Sequence, residues 1–131
     1  MIDLDHFKAV NDAHGHPIGD QVLNAVAERV SGGLRKGDLM ARIGGEEFGL
    51  ILSEVYAQGA LAAAERARLA VVDRDFGVVG PLTISVGVAL RGDLREAAAI
   101  YEHADQALYQ AKREGRNRTV IWTPSHPDSL G

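Results

Sequence analysis

The chain is 131 residues long with a formal net charge of −4, and 46% of its residues are hydrophobic against 24% charged. These are the proportions of a folded globular domain, and the length supports one core. The acidic balance argues against a polyanion binder working through bulk charge, and the absence of cysteine excludes disulfides, thiolate metal sites and thiol catalysis. No apolar run approaches the ~20 residues that cross a bilayer, and Asp3 and Asp5 stand where a signal peptide would be basic and then apolar. The expectation is a soluble cytoplasmic domain, or the cytosolic module of a larger and even membrane-anchored protein. Such a domain would make no membrane contact of its own and have no nucleic-acid partner.

Residues 1–7 alternate, with Ile2 and Leu4 apolar against Asp3 and Asp5, and read as a strand. Residues 11–20 are rich in turn formers, punctuated by Gly15, Pro17 and Gly19. From Asp20 the period changes. Val22, Val26, Val30 and Leu34 are four apart, and Leu23 and Ala27 widen the stripe, which predicts an amphipathic helix over about 20–35. Asp20 suits its positive end, and Gly32, Gly33 and Gly37 mark a frayed finish. Residues 39–52 are two apolar runs divided by Gly44 and Gly45, a hairpin signal because a type I′ turn takes positive φ at both central positions. A second helix is predicted over about 57–73, with Leu61, Ala64, Ala67 and Val71 on one face. Residues 82–90 are a β-branched, buried strand, and about 94–114 a third helix with Ala97, Ile100, Ala104, Leu108 and Ala111 inward. Residues 117–122 form a last strand, which closes a domain spanning 1–122, and 123–131 read as a disordered tail or linker.

The predicted order is β-α-β-β-α-β with an added α-β, an α+β fold of the ferredoxin-like split βαβ type with a C-terminal extension. A right-handed crossover makes the first two strands parallel, so the hairpin tip lies where the first strand ends. Asp3 and Asp5 then meet Glu46 and Glu47 at one sheet edge. Taken singly, Asp3 and Asp5 are ordinary polar alternation, and Glu46 and Glu47 an ordinary solvated hairpin end. Converged, they repel one another unless a cation or proton neutralises them. Hard oxygen ligands without cysteine or a histidine cluster select Mg²⁺ or Mn²⁺, which complete their shells with water and substrate phosphates. Nucleotide chemistry is the natural consequence.

Residues 43–48, IGGEEF, resemble the signature of the GGDEF family of diguanylate cyclases in its GGEEF form. The segments MIDLDHFKAVNDAHGHPIGD before it, and TISVGVA and ADQALYQAKREGRNR after it, resemble the same family in order and spacing, so the likeness runs from residue 1 to about 122. It implies a palm-type fold with an antiparallel-to-mixed sheet and helices packed on it. It also implies condensation of two GTP into cyclic di-GMP with release of two pyrophosphates, across a homodimer in which each domain presents one GTP.

By the same resemblance, Asp3, the Leu4 carbonyl, Glu46 and Glu47 hold two Mg²⁺ or Mn²⁺ ions per active site, with Asp3, Glu46 and Glu47 the catalytic set. Glu46 is the family's proposed base, although the metals could lower the 3′-hydroxyl pKa without it. Gly44 and Gly45 let the nucleotide approach the backbone, beside their plainer use as a turn. Asn11 and Asp20 match the guanine-reading pair; Asp20 alone reads equally as a helix N-cap. A carboxylate suits guanine N1–H and its exocyclic amine and would be left unpaired by adenine. Lys8, Lys112 and Arg116 match cations that contact phosphate, while the latter two alone would be a basic helix end. Asp5 belongs to the motif but reads as structural. Arg35 and Asp38 form an RxxD resembling the family's inhibitory product site, with Arg66 placed to join it; in isolation RxxD is an ordinary helix end and turn. His14 and His16 have no third nitrogen ligand and read as loop residues. Tyr101, Tyr109 and Trp122 read as packing.

Family members carry a helical segment with a turn like D-x-L-T-G-L-x-N-R before the first strand, and usually an upstream sensory or regulatory domain. Here Met1 begins inside that strand, so an apolar sheet face is expected to be left exposed. The competing reading is a catalytically inactive GGDEF domain acting as a receptor for cyclic di-GMP or GTP. The intact GGEEF, Asp3 and Asn11 weigh against it.

Overall fold

The computed structural model describes residues 1–53, 55–92 and 96–124. Five strands, β1 (Ile2–Leu4), β2 (Leu39–Gly44), β3 (Glu47–Ile51), β4 (Ile84–Val88) and β5 (Arg118–Ile121), form one sheet in the order β2-β3-β1-β4-β5. β1 lies at the centre, antiparallel to β3 and β4; β2 and β3 are an antiparallel hairpin, and β4 pairs with β5 in parallel. The helices are α1 (Phe7–His14), α2 (His16–Ser31), α3 (Ala57–Val72) and α4 (Ala97–Arg113), with a 3₁₀ turn at Gly77–Val79. The first four strands have the split βαβ order, and α4 with β5 is the extension, so the α+β class stands as expected.

Strand alternation sorts the layers. Ile2 and Leu4 join Phe48, Ile84 and Val86 in the core with Phe7 and Val10 of α1, Val22, Leu23, Val26 and Val30 of α2, and Ala64, Ala67 and Val71 of α3. The four core residues of α2 are each 4% exposed or less, and each side chain removed from water contributes about 1.5–3 kcal/mol. Asp3, opposite Glu47 and Ser85 in the ladders, points to the other face, where α4 packs through Ala104, Ala107, Leu108 and Ala111. On that face the β2–β3 half of the sheet borders an apolar groove of about 1450 Å³, with Leu39, Ile43, Ile51 and Tyr101 exposed along it.

Five details differ from the sequence expectation. Residues 11–14, expected as turn, finish α1, whose buried Phe7 and Val10 form a one-turn stripe too short to stand out among Asn11, Asp12 and His14. The next helix starts at His16 rather than at Asp20, because Pro17 sits in its first turn, where a missing N–H costs nothing; Asp20 is therefore inside the helix and not its cap. The hairpin loop is Gly45 and Glu46. Gly44 ends β2 opposite Glu47, with the ladder irregular between Arg42 and Gly44, and of the two glycines only Gly45 has positive φ, at 38°. In α4, Ala97 is exposed and Ala107 takes part in the buried stripe. Tyr101 and Tyr109, expected as packing, are exposed, while Trp122 stacks on His103 and donates to Gln106. His14 and His16 are exposed residues at the facing ends of α1 and α2. The start of the predicted third helix (residues 94 and 95) and residues 125–131 of the predicted tail lie outside the described residues. No helix among the described residues is long and apolar enough to cross a membrane.

The contact of α4 with β4 hangs on Gly87. A Cβ there would overlap Leu108 N and Ala104 O and lie 2.8 Å from Leu108 Cα. Backbone cannot swing aside as a long side chain can, so Gly87→Ala must lift α4 off the sheet. The expected cost is about 2 kcal/mol or more, read as a lowered midpoint in urea unfolding; a variant as stable as the parent would show that α4 does not depend on this close approach.

Candidate active site

The site is built where β1 stops. Leu4 N donates to Glu46 O at 3.2 Å, which pins the hairpin tip to the end of the central strand, and Asp3 lies opposite Glu47 in the β1–β3 ladder. Asp3 is 5% exposed and forms an ion pair with Lys112, delivered from the last turn of α4. Burial raises the Asp3 carboxyl above the ordinary range; Lys112 opposes that shift, and the charges of Glu46 and Asp5 add to it. Glu47 is raised as well, first by burial and then by the charges of Asp3 and Asp105. Asp105 escaped the sequence reading. Its signal was available, because it precedes Lys112 by two helical turns and so shares its face of α4.

The fourth carboxylate does not join the other three. Asp5, 3% exposed, accepts from Ser85 Oγ at 2.6 Å through Oδ1, and from Thr83 Oγ1 at 2.7 Å and Asn117 N at 3.0 Å through Oδ2. The expected gathering of four is thus a group of three, Asp3, Glu46 and Glu47, with Asp5 turned to β4 and to the turn before β5. The polar Ser85 inside the apolar run of β4 was the one sequence hint of this partner.

Asn11 on α1 and Asp20 on α2 stand on the two helices that meet at Gly15. Among the described residues the buried Asn11 Oδ1 has no hydrogen-bond partner, and a Cβ on Gly19 would overlap that oxygen, so the bare glycine is what lets the amide lie against α2. An orphaned buried acceptor costs about 1–3 kcal/mol, a cost that a donor from a bound molecule removes. Asp20 and Lys8 are exposed, as is Arg116, whose φ is 64°. A side chain at Gly44 or Gly45 would meet no atom of the described residues within 4 Å, so among them the tip is open on its outer side.

Arg35, Asp38 and Arg66 come together away from this site, around the loop after α2. Asp38 accepts from Arg35 N at 2.9 Å and Ser53 N at 3.3 Å, and the first of these bonds leads in holding its carboxyl below the usual range. Arg35 Nη2 donates to Ser53 O at 2.9 Å, and Arg66 Nε reaches Gly33 O at 3.4 Å. Asp38 is therefore engaged in capping its own turn; Arg35 in that turn and Arg66 on α3 are both exposed.

Among the described residues no three His, Asp or Glu side chains form a ready-made metal-binding group. The available donors are nevertheless all hard oxygens, with Asp3 and Glu47 opposed across the ladder and Leu4 ending the strand, a set that fits Mg²⁺ or Mn²⁺ completed by phosphate oxygens.

A family model described as diguanylate cyclase, GGDEF domain, matches residues 1–118. Diguanylate cyclase A of Treponema denticola is 44% identical over 125 residues, covering 92% of this chain and 34% of that protein. The probable diguanylate cyclase DgcT of Escherichia coli is 42% identical over 127 residues, covering 92% of this chain and 28% of its own length. The chain thus spans about a third or less of these curated relatives. Among solved structures, the active GGEEF domain of a diguanylate cyclase from Vibrio cholerae superposes with a TM-score of 0.88 at 36% identity, over 95% of this chain and 81% of that one. The GGDEF domain of DgcB from Caulobacter crescentus, solved in complex with c-di-GMP, gives 0.86 at 36% identity, over 92% of this chain and 74% of that one.

The raised carboxyls set a pH dependence. Asp3 and Glu47 hold protons more tightly folded than unfolded, so the stability they contribute is full at low pH and is lost as pH rises through their folded values. Glu47→Gln mimics the protonated form. Its melting temperature relative to the parent should climb as metal-free protein is taken from about pH 4.5 to about pH 8. A difference that shrinks over that range would show that Glu47 is not strained by its ionisation.

Proposed function

Because the chain belongs to the diguanylate cyclase family of GGDEF domains, we propose that it condenses two GTP molecules into cyclic di-GMP and releases two pyrophosphates. The observation that carries this reading is the pairing of Asp3 with Glu47 beside the pinned Glu46 tip, which brings three carboxylates from two distant parts of the chain to the end of one central strand. Asp3, Glu46, Glu47 and the Leu4 carbonyl would hold two divalent ions. Bound there, the ions supply charge that steadies the attacking 3′-oxygen and the departing pyrophosphate.

The remaining work falls to the chain. Asn11 Oδ1, the orphaned acceptor, takes an N–H from guanine, and Asp20 takes another, a pattern that adenine cannot supply. Lys8, Lys112 and Arg116 neutralise the triphosphate, with Lys112 exchanging Asp3 for phosphate as substrate enters. Gly44 and Gly45 leave room for the α-phosphate and ribose at the tip. Glu46 accepts the proton of the 3′-hydroxyl as its oxygen bonds to the α-phosphorus of the second GTP and the bond to pyrophosphate breaks. One site reads one guanine, so forming both bonds needs two domains face to face in a two-fold homodimer. Arg35, Asp38 and Arg66 bind the product and restrain turnover, the planar guanidinium groups matching guanine O6/N7 and phosphate. The domain as a unit spans residues 1–122, an upstream regulatory domain would bring two copies together, and the location is cytoplasmic.

Incubation with GTP and Mg²⁺ should yield cyclic di-GMP by mass spectrometry, at a rate that rises faster than linearly with protein concentration while dimers are scarce; GMP or GDP alone would refute the reading. Glu47→Gln should lower turnover at least roughly a hundredfold with the fold retained, and full activity would displace the metal assignment. Arg35→Ala should weaken cyclic di-GMP binding in calorimetry without lowering initial turnover, and unchanged affinity would remove the inhibitory site.

A further inference from the structure

We propose that Asp5 is a positioning residue that sets Arg116 for the triphosphate by holding the turn at residues 115–117; the proposal rests on the phosphate reading of Arg116 above. Gly115, Arg116 and Asn117 all have positive φ, at 126°, 64° and 48°. Two successive non-glycine residues in the left-handed region are intrinsically unfavourable and persist only where surrounding contacts over-determine them. Those contacts are present. Arg116 N donates to Ala111 O at 2.9 Å, which closes the end of α4, and Arg118 Nε donates to Arg116 O at 3.1 Å. Asn117 is gripped from both ends, its N–H by Asp5 Oδ2 at 3.0 Å and its side-chain Oδ1 by Arg68 Nη1 at 2.9 Å. Arg68 is itself clamped by both oxygens of Glu65 at 2.8 Å, and Glu65 takes the Thr119 hydroxyl at 2.8 Å.

Asp5 is the buried root of this chain of bonds. It is fastened to β4 through its backbone (Asp5 N to Thr83 O, 3.0 Å) and through the Thr83 and Ser85 hydroxyls. Both its oxygens are thereby occupied, so what Asp5 offers is geometry: it fixes the C-terminal turn of α4 to the end of β1, the point at which Asp3 faces Glu47. Arg116, exposed and in an improbable backbone conformation, thus stands in a turn that Asp5 ties to the end of β1 through the Asn117 N–H.

The substitutions separate geometry from charge. Asp5→Asn keeps one oxygen for Asn117 N and Thr83, while its amide donates to Ser85, whose hydroxyl can accept instead. Asp5→Ala removes every acceptor. Asn117→Ala, at an exposed position, removes the Arg68 grip and the residue type that best tolerates positive φ. Calorimetry with the α,β-methylene analogue of GTP and, separately, with GMP reads the result. Arg116→Ala, Asp5→Ala and Asn117→Ala should each weaken the triphosphate by about three- to tenfold and leave GMP unchanged, Asp5→Asn should bind like the parent, and Asn117→Ala should add nothing on top of Arg116→Ala. Equal losses for GMP, additive losses with Arg116→Ala, or an Asp5→Asn as damaged as Asp5→Ala would overturn the proposal. Should Asp5→Ala fail to fold, Asn117→Ala alone carries the test. If Arg116→Ala leaves triphosphate affinity intact, the phosphate reading falls and this proposal with it; an Arg116→Ala loss unaccompanied by loss in Asn117→Ala sinks this proposal alone.

Discussion

A central strand that ends in carboxylates must solve a solvation problem before anything else can be built on it. β1 is three residues long, fully buried and bonded on both edges, and it takes Asp3, with Asp5 just past its end, out of water. Ionised carboxylates in such a place cost several kcal/mol each unless charge or donors replace their hydration. The two are treated differently. Asp3 receives a cation, Lys112, and remains raised in pKa because that compensation is partial. Asp5 receives three hydrogen bonds and is withdrawn from the cluster. One carboxylate is left in need of positive charge and the other is used as a fastening.

The same division organises the surrounding elements. The face with α1, α2 and α3 is apolar and supplies the core, whereas the α4 face carries Asp3, Glu47, Ser85 and Lys112. Gly87 permits α4 to lie against the backbone of β4, and that closeness brings Lys112 within reach of Asp3 and Asp105 near enough to Glu47 to repel it. Electrostatic poise at the strand end is therefore a product of helix packing several residues away.

Much of this was legible in one dimension. Period-four valines in α2 and the β-branched run of β4 announce themselves because burial dictates them, and the hairpin with its right-handed crossover placed Glu46 and Glu47 beside Asp3 before any coordinates. What escaped has physical reasons. α1 offers only Phe7 and Val10 to the core, too few to establish a period. The loop slipped by one residue, to Gly45 and Glu46, because an irregular ladder at Arg42 absorbs Gly44, and ladder irregularities leave no mark in composition. Asp5 looked like the twin of Asp3, and only the third dimension shows that Thr83, Ser85 and the Asn117 N–H have already claimed it. The Asp3–Lys112 pair depends on how α4 is rotated on the sheet, which is set by tertiary packing, whereas the seven-residue spacing of Asp105 from Lys112 was there to be read.

The partners of that pair are separated by 109 positions. A chain emerging from the ribosome can close the β2–β3 hairpin early, since that contact is local, but Asp3 waits for its cation until almost the whole of α4 has been synthesised. Until then the aspartate is better kept protonated or wet, so β1 gains little by entering a sheet. Assembly of the central strand is thus tied to completion of α4, a non-local closure of the kind that slows folding. A product cut short before Lys112 would lack the cation along with the cover of α4, and its sheet would stay open.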